Sequence, residues 1–362
     1  MKKAFAVFIF LIVFGVLLPM KVSALGELDE LLDVIPGEAA GYLPDGAEDA
    51  ESVADGFSAD HLFGVMTRAA AKVFPETARS FAGILALVIL SSVLGVIRDG
   101  TGSGELRDIL SYVCTVCVCG AAYEVTGAVL SVAHGLISTV GTLMRCVIPA
   151  MAALSAASGG VTFAAVCSGI LYGAITVLES VCEGMLFPLL KICVCISMGS
   201  SALGNQSLGD AVSPLKKAAA FFLGLIMLIF SAVLGFRGIV ASSADSAAIK
   251  GVKFAVSGIV PIVGGAVGDA MSSVFGSMSL VRATFGTASA VILAVAVITP
   301  ILRILIYKTM LDVISAVAGL VGMKNEGKFL SDMGSVCGML LAVTSCISVF
   351  FIIGTGIFTA GG

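Results

Sequence analysis

The chain has 362 residues, of which 58% are hydrophobic and 12% charged, and its mean hydropathy is +1.11. Soluble domains carry roughly 25% charged residues, so this composition excludes a soluble fold and specifies an integral membrane protein. The net charge of −4 argues against a nucleic-acid partner, and with two His, no Gly-rich phosphate loop and no paired-His motif there is no cofactor, metal or catalytic set to assign.

Lys2 and Lys3 precede an apolar run from Ala4 to Leu18, and Val22-Ser23-Ala24 supplies small residues at a cleavage site. That is the layout of a secretory signal peptide over residues 1–24. The alternative is an uncleaved first helix interrupted by Pro19 and Lys21. Residues 25–60 hold eleven acidic side chains and no basic ones. Pro36-Gly37, Pro44-Asp45-Gly46 and Asp55-Gly56 punctuate them as turns. The expectation is an acidic extracytoplasmic segment with a short helix at Glu27–Val34, either a solvating tail or a docking arm for a basic partner. Over residues 61–79, Leu62, Phe63, Val65, Met66, Ala69, Ala70 and Val73 share one helical face and Arg68 and Lys72 the other. Such an amphipathic helix is expected to lie at the membrane interface.

Residues 80–362 read as a multi-pass membrane domain. Charge-free runs follow at Ser80–Ile97, Ile109–Tyr123, Val125–Met144, Cys146–Leu178, Ile192–Gly209, Ala218–Phe236, Ala283–Leu302 and Met333–Gly362. Runs of about 18 apolar residues cross a bilayer. Backbone groups in lipid must bond within their own segment, and the runs lack the alternation of a barrel. The fold class is therefore all-α and polytopic, with about seven transmembrane helices. Two stretches are interrupted. Cys146–Leu178 is too long for one span, and a break at Gly159-Gly160 is the simplest resolution. Lys253–Gly265 carries Pro261 and the pair Gly264-Gly265, as a discontinuous or re-entrant helix does; a packed helix kinked at Pro261 is the alternative. Lys216 and Lys217 at one end of Ala218–Phe236 and Arg237 at the other leave the C-terminal side unassigned by sequence.

Ionisable groups near membrane depth mark function by default. They are Glu124, Arg145, Glu179, Glu183, Lys191, Asp269 and Arg282. Glu179 and Glu183 are four apart and share a helical face. In a wet path they would hold a cation or relay protons; in a hairpin at the interface, near Gly184, they would be solvated. Asp269 and Arg282 are expected to pair across a short segment around Gly276. Cys114-x-x-Cys117-x-Cys119 and Cys193-x-Cys195 resemble ligand spacing, but in apolar runs without His they read as small hydrophobes. Gly169/Gly173, Gly264/Gly268 and Gly334/Gly338 have the spacing that lets helices approach closely. Arg303–Leu330 is amphipathic, with Lys308 and Asp312 four apart, and Gly322–Lys328 reads as a polar turn.

Asp245–Ala255, then Ile259-Val260-Pro261-Ile262-Val263-Gly264-Gly265-Ala266-Val267-Gly268-Asp269-Ala270, resembles the stage III sporulation protein AE family. So do Cys146-Val147-Ile148-Pro149-Ala150, Ser158-Gly159-Gly160 and the order of parts. The resemblance implies a non-enzymatic role in endospore formation, in the mother-cell membrane around the engulfed forespore. It implies as partners the other stage III sporulation A membrane proteins and a forespore membrane partner, joined in a trans-envelope channel complex. It brings no catalytic residues. The residues alone also fit a self-contained transporter or permease; an intramembrane enzyme lacks a nucleophile–base pair at a workable spacing.

Overall fold

In the computed structural model the described residues are 59–100, 104–204, 211–240 and 264–360, and every regular element among them is helical. The helices are α1 (Ala59–Gly100), α2 (Gly104–Ala157), α3 (Val161–Val181), α4 (Phe187–Ala202), α5 (Val212–Val240), α6 (Gly264–Leu320) and α7 (Lys324–Ala360). A π-helical turn, Cys182–Leu186, joins α3 to α4 without a break. With α3–α4 counted once, six helices among the described residues are long and apolar enough to cross a membrane.

The short turns follow from glycine chemistry. Gly159 (φ 97°) and Gly322 (φ 86°) take the left-handed conformation that a Cβ opposes. Behind Gly159, Gly160 N–H bonds Ser155 O at 2.9 Å and Gly159 N–H bonds Ala156 O at 3.0 Å. Behind Gly322, Met323 N–H bonds Ala318 O at 2.9 Å and Gly322 N–H bonds Gly319 O at 3.3 Å. Both are Schellman caps, which satisfy the last carbonyls of α2 and α6 and reverse the chain.

The α6–α7 hairpin is the centre. α2 packs on both of its helices, α1 covers α6 and α2, α3–α4 lines α2, and α5 rests on α3, α4 and α7. Leu143, Met144, Ile148 and Met151 of α2 meet a core that includes Phe329, Phe350, Phe351 and Phe358 of α7, all fully buried. Phe230 of α5 stacks on Phe350 with ring centroids 4.2 Å apart, while Lys216 pairs with Asp332 at 2.5 Å. Both contacts advance along α5 and α7 together, so these helices run parallel. Because α6 and α7 form a hairpin, α5 ends and α6 begins at the same end of the bundle.

Several expectations are corrected. Residues 61–79 and the run that starts at Ser80 share one 42-residue helix, α1, which contains Pro75. Val65, Ala69 and Val73, one turn apart, are buried against the bundle, whereas Phe63 on the expected apolar face is exposed. Nothing between Phe74 and Ser80 can end the helix except Pro75, and one proline kinks rather than stops a packed helix. The runs on either side of Glu124 and Arg145 join in one 54-residue helix, α2, because a single solvent-facing charge leaves the backbone ladder intact. Of the expected Gly322–Lys328 turn, Gly322 and Met323 make the reversal and Lys324–Lys328 already belong to α7. The break at Gly159-Gly160 is where the sequence places it.

Candidate functional site

Polar groups line the contact between α2 and the α3–α4 run. The π-turn Cys182–Leu186 follows from Pro188, which has no N–H and whose ring crowds the carbonyl four residues back. The ladder widens there, with Phe187 N–H bonding Cys182 O. Such turns recur at functional sites. Glu179 closes α3 just before the turn and Glu183 lies in it. The expected hairpin at Gly184 is therefore absent, and both carboxylates lie within one continuous helical run.

Each carboxylate finds a partner on α2. Arg145 Nη2 donates to Glu179 Oε2. His134 Nε2 lies 3.5 Å from Glu183 Oε1, and the His134 ring is 5.6 Å from that of Phe187. His134 and Arg145 are eleven residues apart, about three turns, which puts them on one face of α2. Gly141, between them, makes room: a Cβ there would collide with the Glu179 carboxylate. The Arg145–Glu179 pair is charge-balanced. Behind these groups the helix contact is apolar, with Leu136, Ile137, Val140, Leu178, Cys182 and Leu186 buried.

A second polar cluster ties four helices where α4 ends and α5 and α7 begin. Thr115 Oγ1 of α2 donates to Glu326 Oε1 of α7, whose side chain is buried. Ser197 Oγ of α4 donates to Asp332 Oδ2 at 2.8 Å, and Lys216 Nζ of α5 donates to Asp332 Oδ1 at 2.5 Å. Ser201 Oγ donates to Asn325 O at 3.3 Å. Lys308 and Asp312 pair at 2.5 Å as their spacing requires, with Gly334 and Gly338 of α7 lying against them. That Gly-x-x-x-Gly therefore packs inside the subunit. Gly169 and Gly173 meet no side chain.

The remaining candidates do not converge on these clusters. Pro261 lies outside the described residues. Gly264 and Gly265 open α6, and Asp269 falls in its second turn, its side chain outside the described set. Asp269 and Arg282 cannot pair, because thirteen residues of one helix separate them by about 20 Å. Arg282 is instead buried, donating from Nη1 to Ser158 Oγ at 3.2 Å. Among the described residues no group of three His, Cys, Asp or Glu is placed to hold a metal. The sequence marks Glu179 and Glu183 through their rarity in an apolar run. It gives no sign of which helix supplies their partners, nor of the Ser197–Asp332–Lys216 link, in which Asp332 lies over a hundred residues from the other two.

A family model described as stage III sporulation protein AE matches residues 48–362. The stage III sporulation protein AE of Bacillus subtilis (strain 168) is 22% identical over 233 residues, 62% of this chain and 57% of that relative. The match thus spans little more than half of the relative's length. No solved structure matches.

Proposed function

The chain belongs to the stage III sporulation protein AE family, and from that premise we propose that it is a non-enzymatic membrane subunit of a channel complex between mother cell and forespore. The family match over residues 48–362 carries this reading. In it, the chain works with other stage III sporulation A membrane proteins and a forespore membrane partner, from the mother-cell membrane facing the forespore. Residues 1–24 act as a cleaved signal, and the acidic residues 25–60 remain outside the cytoplasm. In this reading the polar groups between α2 and α3–α4 serve subunit geometry.

An in-frame deletion in the source organism, followed by microscopy through sporulation, tests the reading. Arrest after engulfment, with normal vegetative growth, is the expected outcome; normal spores would overturn it. The transporter reading rests on the paired carboxylates at the π-turn. It requires solute flux in vesicles that contain this chain alone, with Glu179→Gln or Glu183→Gln reducing that flux.

A further inference from the structure

A cleft of about 230 Å³ opens between α2 and α6, lined by Val132, Leu136 and Thr139 on one side and Val297, Thr299 and Arg303 on the other. Its walls are mainly apolar, and Gly135 and Pro300 also border it. Thr299 is 92% buried (8% exposed), and its hydroxyl has no hydrogen-bond partner. Every other buried threonine among the described residues donates, to Glu326 in the case of Thr115 and otherwise to a carbonyl one turn back. Thr299 therefore forgoes the bond its neighbours make, and its side chain lines the cleft, where a χ1 rotation would turn the closed-off hydroxyl toward it. At the edge, Arg303 Nη2 donates to Glu76 Oε2 at 3.0 Å. Glu76 is mostly exposed, with 64% of its side chain in the open, and a guanidinium retains further donors.

The polar groups at this cleft are two hydroxyls, which donate as well as accept, and a guanidinium, which only donates. A matching ligand carries acceptors at one end and an apolar body. We propose that the cleft binds one glycerophospholipid from the bilayer, with its phosphate on Arg303, a glycerol ester oxygen on Thr299 and an acyl chain along Val132, Leu136 and Val297. The helices that form the cleft are both membrane-spanning candidates, so lipid is the molecule at hand. A buried donor without a partner is costly, and an ester carbonyl relieves that cost without bringing in a second charge.

The test uses the full chain in detergent, delipidated and then titrated with phosphatidylglycerol, with native mass spectrometry as the readout. Diacylglycerol, which lacks the phosphate, and inorganic phosphate, which lacks the chains, are run beside it. The expected result is one retained phosphatidylglycerol per chain, at least roughly tenfold weaker retention of diacylglycerol, and no competition from millimolar phosphate. Arg303→Gln lowers retention about tenfold and Thr299→Val severalfold. Gly135→Leu, where a Cβ meets nothing within 4 Å, fills the cleft and abolishes binding. Glu76→Gln breaks the same ion pair as Arg303→Gln but leaves retention intact or raised, which a purely structural pair would not do. Retention unchanged in Arg303→Gln, Thr299→Val and Gly135→Leu overturns the proposal. So does equal loss in Glu76→Gln and Arg303→Gln, or phosphate alone competing as well as the lipid, which would mean a free-anion site.

Discussion

Gly286 shows how much a single hydrogen can fix in this bundle. A Cβ there would collide with Thr359 Cγ2 of α7 and stand 2.8 Å from Met151 Cε of α2. Three helices therefore converge at one point where only glycine fits. Overpacking a tight contact costs typically 1–3 kcal/mol, so Gly286→Ala is expected to lower the unfolding free energy in detergent by about 2 kcal/mol. Thr359→Ser removes the Cγ2 and leaves only the end of a flexible methionine in the way. The double variant is expected to recover at least half of the loss, and additive losses in a double-mutant cycle would show that the contact is not the cause. Gly141 poses the same question with a polar neighbour. Gly141→Ala displaces the Glu179 carboxylate from Arg145, so its cost of about 1 kcal/mol should vanish in a Glu179→Ala background; thermal unfolding of the four proteins of that cycle decides it. Glu179 and Glu183 were legible as exceptions in an apolar run. Gly141 and Gly286 were not, since nothing in the order of 43 glycines separates those that touch a neighbour from those that face open space.

Helix interiors and helix ends use glycine for different reasons, and that difference is measurable. At Gly159 and Gly322 the positive φ is what closes the Schellman caps. An L-residue pays about 1–2 kcal/mol in that conformation, so Gly159→Ala and Gly322→Ala should each destabilise by that amount. Gly169 and Gly173 lie inside α3 and meet nothing within 4 Å. Alanine there gains helix propensity of about 1 kcal/mol, so Gly169→Ala is expected to be neutral or stabilising in the same assay. Loss of stability at Gly169 would mean that another helix covers that face. The existence of the helices was legible in the charge-free runs, because lipid leaves the backbone no other arrangement. Their ends were not. Glu124 and Arg145 divide the hydropathy pattern of α2 without dividing its backbone, Pro75 lies inside the continuous α1, and Pro188 is accommodated by a π-turn. Only where Ser158-Gly159-Gly160 combined a conformational requirement with a hydropathy break did pattern and backbone agree.

At the scale of the whole molecule, the lengths exceed what a bilayer needs. α2, with 54 residues, is about 81 Å long, against a hydrocarbon core of about 30 Å, so the bundle continues beyond the membrane. Its two ends differ in whether basic residues flank the turns. The turns after α1, α4 and α6 share one end and are flanked by Arg98, Arg107, Lys216, Lys217, Lys324 and Lys328. At the other end the α2–α3 turn has no charged flank, Arg237 lies near the end of α5, and Arg68 and Lys72 lie near the start of α1. Sequence alone did not orient the C-terminus, because each helix was read singly and Ala218–Phe236 has basic residues on both sides. The parallel course of α5 and α7 resolves this by gathering the basic flanks of three turns into one set. Short basic loops stay in the cytoplasm, so the turns after α1, α4 and α6 are expected there and the start of α1 and the end of α7 outside. An alkaline phosphatase reporter fused after Ala360 is therefore expected to be active, and one placed within residues 205–210 inactive, with a fluorescent-protein reporter giving the reverse. An inactive phosphatase at Ala360 would invert the bundle and place the acidic segment before α1 in the cytoplasm. The signal-peptide reading of residues 1–24 would then fail with it, because a cleaved signal leaves the following chain outside.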